Sequence, residues 1–362
     1  MSRTIILAAG GTGGHMFPAS ALAAEMRRRG WTPVLVTDRR GASLETGFAA
    51  GERQQIPASG LGGRNPLRLA TGMLTVLAGT LKSLGLIRRT RPALVAGFGG
   101  YPSFPVLLAA RLARVRIIIH EQNCVLGRTN RLFAPGAALV ASGFDVLERL
   151  PAGAAKRHVV TGNPLRAGIL ARRDAAPGHQ DDRVRLLVLG GSLGARILGE
   201  TVPAAVALLP KSLQSRLDVA QQTRQEQVAT VTRQYREADV NAQIAPFFDD
   251  VAQRLAAADL VIARAGASSV AEIAALGKPS ILVPLAIAMD DHQSRNAHVL
   301  ADAGAADIIA EEKLTPERLA ALIAARLGDP DDLARRGGAA RAQARPDAAK
   351  MLADCIEALE ES

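Results

Sequence analysis

The sequence predicts an α/β protein built from two nucleotide-type domains, and three observations carry that prediction. Residues 4–15 pass from the apolar run Thr-Ile-Ile-Leu-Ala-Ala into the glycine turn Gly10-Gly11-Thr12-Gly13-Gly14-His15. The same order recurs at 185–196, where Leu186-Leu187-Val188-Leu189 leads into Gly190-Gly191-Ser192-Leu193-Gly194-Ala195. A length of 362 residues with 48% hydrophobic content then suffices for two separate cores.

Taken in order, the first turn suits phosphate. Its glycines can adopt positive φ and let a ligand approach the backbone, and the helix expected over 19–29 aims its N-terminal N–H groups into the same turn. A second strand is expected over 31–37, ending at Asp38, a third over 93–96, and a further one over 116–120. The third runs into the turn Gly97-Phe98-Gly99-Gly100-Tyr101, and the last carries Glu121, Gln122 and Asn123 at its tip. Ligands of open parallel sheets bind beyond the carboxyl ends of the strands, so His15, the 97–101 turn and the 121–123 tip are expected to share one mouth. Strands over 139–141 and 159–160 precede Gly162-Asn163-Pro164-Leu165-Arg166, which has the composition of a hinge. The polar stretch 172–183 reads as a surface connection.

The second half repeats the logic. A strand over 260–263 enters the turn Arg264-Ala265-Gly266-Ala267-Ser268-Ser269, a helix follows over 270–276, a strand over 280–283, and a polar turn over 289–296. Beyond Thr315 the chain reads as helices, interrupted at Gly328-Asp329-Pro330. A dinucleotide fingerprint fails at Met16, where a small residue is needed, and only Asp38 at its strand end favours one. Neither turn ends in the Gly-Lys-Ser/Thr of a P-loop. Cys124 and Cys355 are too few for a disulfide framework and lack metal-ligand spacing, so two unpaired thiols in a reducing compartment are expected. No secretory signal pattern is read at the N-terminus, which implies cytoplasmic synthesis.

Charge is distributed unevenly. Residues 1–150 hold 19 Lys and Arg against 7 Asp and Glu, whereas the remainder holds 25 against 27. Between Glu52 and Glu121 there is no acidic residue, while Arg53, Arg64, Arg68, Lys82, Arg88, Arg89, Arg91, Arg111, Arg114 and Arg116 are basic. Such a half attracts an anionic partner. Nucleic acid is disfavoured, because only 3% of residues are aromatic and the basic clusters lack interleaved stacking side chains. An anionic membrane surface fits better. Ala70, Met73, Leu74, Leu77, Leu81 and Leu84 follow helical spacing, with Leu67, Leu69, Val76 and Ile87 adding apolar surface. The segment 67–87 reads either as a helix lying in a headgroup layer or as an ordinary helix packing its stripe on a sheet. The uncharged run 92–110 is interrupted by Gly97, Gly99, Gly100, Pro102 and Pro105, so any membrane contact is expected to be peripheral.

The set Gly10 to His15, Gly97 to Tyr101, His120-Glu121-Gln122-Asn123, Gly162-Asn163-Pro164, Gly190 to Arg196 and Glu272-Ile273-Ala274 resembles the MurG family. These are the undecaprenyldiphospho-muramoylpentapeptide β-N-acetylglucosaminyltransferases of peptidoglycan synthesis. The resemblance spans nearly the whole chain. It implies a GT-B fold, two Rossmann-like doubly wound domains facing across a cleft. The corresponding organisation is an acceptor and membrane-facing domain over 1–161, a hinge over 162–166, a UDP-GlcNAc-binding domain over 167–340, and a C-terminal helix over 341–362 returning to the first domain.

The implied reaction moves GlcNAc from UDP-GlcNAc to the C4 hydroxyl of MurNAc in lipid I, with inversion, at the cytoplasmic side of the cell inner membrane. No cofactor or catalytic metal is implied, and the only Asp-x-Asp, Asp329-Pro330-Asp331, falls at a helix break. Departing diphosphate would rest on backbone N–H groups of the 190–195 turn and the 267–269 helix start, with Ser192 and Arg166 as side-chain donors. Glu272 would take the ribose hydroxyls, Phe248 would flank the uracil, and Ser268, Ser269 and Gln293 would lie near the sugar. His292 stands where some family members have glutamine. Thr12, Gly13, Gly14 and Asn123 would border the donor sugar, and Gly10, Gly11, Gly13, Gly14, Gly99, Gly100 and Tyr101 would receive the lipid diphosphate. His15 and Glu121 are rival general bases. A UDP-GlcNAc epimerase, another GT-B glycosyltransferase and a basic nucleic-acid-binding protein are the competing readings.

Overall fold

The computed structural model describes residues 3–42, 47–59, 66–174, 182–191, 194–286 and 289–361. The chain forms two compact units, one of Met1–Arg166 with Arg345–Ser362 and one of Ala167–Ala344, so the second unit runs beyond the expected boundary at 340.

In the first unit seven parallel strands form one sheet: β1 (Thr4–Ala8), β2 (Thr32–Thr37), β3 (Arg53–Gln55), β4 (Leu94–Gly97), β5 (Arg116–Glu121), β6 (Leu139–Ser142) and β7 (His158–Val160). Their order is β3-β2-β1-β4-β5-β6-β7. Strand β1 is apolar and buried from Ile5 to Ala8 because both its faces are covered. Ile5 and Leu7 pack with Met16, Leu22 and Met26, while Ile6 and Ala8 pack with Val106, Leu107 and Ile119. The strand order reverses between β1 and β4, where Ala8 pairs with Gly97, so the turns following these strands lie side by side at a topological switch point.

The helix expected over 19–29 is observed as Gly13–Arg28 and includes half of the glycine turn. Burial of Met16, Ala19, Leu22, Ala23 and Met26 outweighs the poor helix propensity of two leading glycines. At the other end of the chain, the helix Ala348–Glu361 completes this unit's core with Leu352, Ala353 and Ile356. The Arg29 guanidinium pairs with Glu357 and with Asp354, each at 2.7 Å, and Trp31 Nε1 donates to Glu357 at 3.2 Å.

In the helix Pro66–Thr90 the apolar stripe faces outward and is not packed on the sheet. Met73, Leu74, Leu77 and Leu81 are 55–65% exposed, and Leu69 is exposed too. The buried face is made of Gly72, Gly79, Thr80, Ser83, Leu86 and Ile87. Small residues allow close packing here: a Cβ on Gly79 would lie 2.4 Å from the Pro57 carbonyl oxygen and 3.2 Å from Pro105. Residues 69–90 are long and apolar enough to cross a membrane by length and composition, but this inner face is committed to the protein. Arg64 and the side chains of Leu67 and Arg68 lie outside the described residues.

The second unit holds β8 (Val184–Leu189), β9 (Leu217–Gln222), β10 (Asn241–Ala245), β11 (Leu260–Ala263), β12 (Ser280–Leu282) and β13 (Ala306–Ile308), all parallel, in the order β10-β9-β8-β11-β12-β13. Its reversal lies between β8 and β11, where Leu189 pairs with Ala263. The expected turn over 289–296 is a correction, since a helix begins at His292 and runs to Ala301. Asn296, wholly buried, anchors it by donating to the Ala265 carbonyl at 3.1 Å, and Ala297 and Leu300 bury alongside. The break at Gly328 to Pro330 separates the helices Pro316–Leu327 and Pro330–Ala342, with Asp329 accepting from the Asp332 N–H at 3.0 Å as N-cap. Cys124 and Cys355 are free thiols.

Candidate active site

At the first switch point the turns after β1 and β4 touch through their backbones. The Gly10 N–H donates to the Gly99 carbonyl at 3.0 Å. Gly99 and Gly100 have φ of +90° and +76°, and a Cβ on Gly100 would lie 2.8 Å from Gly10 Cα. Thr12 is extended and precedes the helix Gly13–Arg28, its carbonyl accepting from the His15 N–H at 3.1 Å and the Met16 N–H at 3.0 Å. Gly14 adopts no positive φ, and a Cβ there would meet no atom within 4 Å.

His15 sits against both turns, its ring 3.2 Å from a Cβ position on Gly10 and 3.3 Å from one on Gly99. Its Nδ1 lies 2.8 Å from Gln122 Oε1 at the tip of β5, so the three segments expected at one mouth are brought together. Behind Gln122 lies His120, buried and pushed down to about 4 by loss of solvation.

Glu121 has a different setting from His15. It is buried, and each carboxylate oxygen accepts two hydrogen bonds. One takes the Asn123 N–H at 3.1 Å and Asn123 Nδ2 at 3.0 Å; the other takes the Gly127 N–H and Asn130 Nδ2, both at 2.9 Å. Four donors fill the lone pairs of this group and hold the 121–130 loop in shape. Asp38 likewise accepts from the Gly41 N–H at 3.0 Å, starting a short helix.

Tyr101 is exposed and accepts from Arg40 Nη2 at 2.7 Å. Both line a cavity of about 910 Å³ that includes Arg39, Asp38, Thr75 and Lys82. Thus a basic recess leads from the second glycine turn to the helix bearing the exposed apolar stripe. Arg166, also in this unit, places its guanidinium 4.8 Å from the Phe17 ring centroid.

In the second unit, Gly191 and Gly194 take φ of +78° and +68°, and the Gly194 N–H donates to Gly191 at 3.0 Å. Ser192 lies outside the described residues. The helix Arg196–Ala207 opens directly after this turn. Beside it, the helix Ala267–Ala275 starts earlier than expected, so Ser268 and Ser269 are in its first turn rather than before it, with Glu272 buried one turn further on. Gln293 Oε1 accepts from the Leu285 N–H at 3.0 Å. Arg264 is buried below the turn, donating to the Val283 and Pro284 carbonyls, both at 3.1 Å, and pairing with Glu311 at 2.7 Å.

Two aromatic residues adjoin at 247–248, of which the sequence reading named Phe248. Phe248 is 7% exposed with the Arg254 guanidinium 4.2 Å from its ring centroid, whereas Phe247 is 65% exposed and offers an open face. Alternation along an extended segment could have flagged Phe247. His120 in β5 and Gln122 just past its end meet through side-chain hydrogen bonding, but nothing local signals that His15 meets them.

Residues 5–142 match the Glycosyltransferase family 28 N-terminal domain and residues 185–352 its C-terminal domain. The UDP-N-acetylglucosamine–N-acetylmuramyl-(pentapeptide) pyrophosphoryl-undecaprenol N-acetylglucosamine transferase of Maricaulis maris (strain MCS10) is 52% identical over 359 residues, covering 99% of this chain and 98% of that protein. The crystal structure of Acinetobacter baumannii MurG superposes with a TM-score of 0.77 at 33% identity, covering 98% of this chain and 99% of the other. A UDP-N-acetylglucosamine 2-epimerase structure, at 13% identity and a TM-score of 0.62 over 98% and 95% of the two chains, shares the fold alone. With its two parallel sheets of GT-B type, the chain belongs to glycosyltransferase family 28 and, within it, to the N-acetylmuramyl-(pentapeptide) pyrophosphoryl-undecaprenol N-acetylglucosamine transferases.

Proposed function

We propose that this chain transfers GlcNAc from UDP-GlcNAc to the C4 hydroxyl of MurNAc in lipid I, with inversion at the anomeric carbon, giving lipid II for peptidoglycan. The observation that carries the reading is the meeting of two glycine turns around the His15 ring, in a chain whose relatives are named for this transfer. The C4 oxygen forms the new bond to the anomeric carbon while its proton passes to the His15 imidazole. The bond from that carbon to the β-phosphate oxygen breaks, and UDP leaves with the electron pair. Glu121 is assigned to loop structure rather than to proton transfer, because its four hydrogen bonds leave it no free lone pair.

On the acceptor side, the lipid diphosphate is assigned to Gly10, Gly11, Gly13, Gly14, Gly99, Gly100 and Tyr101. A helix N-terminus there supplies N–H groups, and Arg39, Arg40 and Lys82 supply charge close by. On the donor side, the 190–195 turn, Ser268, Ser269 and Arg166 are assigned to the diphosphate, and Glu272 to the ribose. Gln293 and Asn123, with Thr12, Gly13 and Gly14, are assigned to the sugar. For the uracil, the exposed Phe247 ring replaces that of Phe248 as the stacking surface. The apolar stripe from Leu69 to Leu81, with exposed Lys82, Arg88 and Arg89 beyond it, supports peripheral docking on the anionic cytoplasmic face of the inner membrane.

The test is transfer of labelled GlcNAc from UDP-GlcNAc to a lipid-linked MurNAc-peptide in the presence of a chelator. Acceptor-dependent UDP release is expected, and His15→Ala should lower kcat by about 10²–10⁴-fold. Conversion of UDP-GlcNAc without acceptor would establish an epimerase instead, and full turnover by His15→Ala would remove His15 as the base.

A further inference from the structure

The hydrogen bonds that join His15 to the protein interior have a direction, which can be worked out from their buried end. His120 is buried and neutral near pH 7, so its ring carries one N–H. Its Nε2 lies 2.9 Å from the Gly162 carbonyl, which can only accept. The ring proton is therefore on Nε2, and Nδ1 is an acceptor. Gln122 Nε2 lies 3.0 Å from that Nδ1 and 3.0 Å from the His120 carbonyl oxygen. Two acceptors on one side fix the NH₂ end of the amide there and turn Oε1 towards His15. An amide oxygen cannot donate, so across the 2.8 Å contact the proton belongs to His15 Nδ1. The backbone of Gln122 is itself pinned, since Asn163 Nδ2 donates to its carbonyl at 3.0 Å.

We propose that Gln122, oriented by His120 and Gly162, is a positioning residue that holds the neutral His15 ring as its Nδ1–H tautomer and so leaves Nε2 as the atom with a free lone pair. Its catalytic meaning rests on the reading of His15 as the base. An unconstrained imidazole favours the opposite tautomer, which would present an N–H to the acceptor hydroxyl and could not remove its proton. When the C4 hydroxyl proton moves to Nε2, the N–H on Nδ1 keeps its acceptor, so the imidazolium is stabilised without any rearrangement. Glutamate could not replace Gln122 without change, because one of its oxygens would face both the His120 Nδ1 lone pair and the His120 carbonyl. The requirement is for an amide, with unlike ends.

The tautomer can be read by ¹⁵N NMR of the histidine rings in the full-length protein, with His15 assigned by its loss in His15→Ala. An Nδ1–H ring is expected in the wild type and an Nε2–H or mixed ring in Gln122→Met. In Gln122→Met, kcat should fall by about 10²–10⁴-fold while KM for UDP-GlcNAc stays within about twofold. His120→Asn offers an oxygen near the position of Nδ1 and should keep the Nδ1–H ring, whereas His120→Leu should lose it. An Nε2–H ring in the wild type, or an unchanged ring and kcat in Gln122→Met, overturns the proposal. The wild-type ring and the His120 pair decide the matter even if Gln122→Met does not fold. The reading of His15 as base fails separately, through turnover by His15→Ala.

Discussion

Gly14 separates the demands of folding from those of binding. It occupies the first turn of a helix, with space around a Cβ and no need for positive φ, so alanine should be tolerated and should favour the helix by about 1 kcal/mol. If the turn holds the lipid diphosphate, the added methyl occupies that space. Gly14→Ala is expected to keep or raise Tm while lowering kcat/KM for the acceptor about tenfold, and a variant with unchanged kcat/KM would take Gly14 out of the acceptor site. A pH prediction follows from His120. Its folded pKa, about 4, lies below the unfolded value near 6.5, so the unfolded chain binds the proton first as pH falls. Stability should be full above pH 6.5 and should lose about 3 kcal/mol as pH falls towards 4. Denaturant titrations between those limits should show a shallower loss in His120→Asn. Glu25, drawn down to about 2 by its hydrogen bond to Arg28, acts in the lower window from 4.5 downward and does not obscure the effect.

At the scale of elements, the helix Pro66–Thr90 shows why an apolar stripe alone is ambiguous. Helical spacing identified the stripe, but its direction depended on which face had small residues to bring it close to the protein, namely Gly72, Gly79, Thr80 and Ser83. Leu74→Asp with Leu77→Asp is expected to weaken binding to anionic vesicles at least tenfold, because each change removes a large apolar side chain from the exposed face. Thermal stability and activity on a short-chain soluble acceptor should persist, and vesicle binding equal to the wild type would eliminate this surface as the docking face. Strands β1, β8 and β11 were legible because central parallel strands are apolar on both faces. By contrast β9, with the sequence Leu-Asp-Val-Ala-Gln-Gln, β10, and the three-residue β3 and β13 lie towards the sheet margins and carry too little apolar signal. The site was legible as motifs, whereas its wiring was not. Glu121 and His15 looked equivalent as bases until the donors from Asn123, Gly127 and Asn130 were placed around one of them.

Over the whole molecule, the excess positive charge belongs to the first half of the sequence, the half that also carries the exposed stripe and the recess lined by Arg39, Arg40 and Lys82. The first unit is completed by the far end of the chain, since Leu352 and Ile356 bury among Leu22, Met26 and Trp31. Its core therefore closes only after residues 352–356 have been made. The contact of Gly10 with Gly100 ties the two loops together. A side chain on either residue would strike the other's backbone, so neither position can change alone without displacing its neighbour. Two loops whose touching glycines stand ninety residues apart in sequence are thereby coupled, and a side chain gained at either position has to be accommodated by movement of the other loop's backbone.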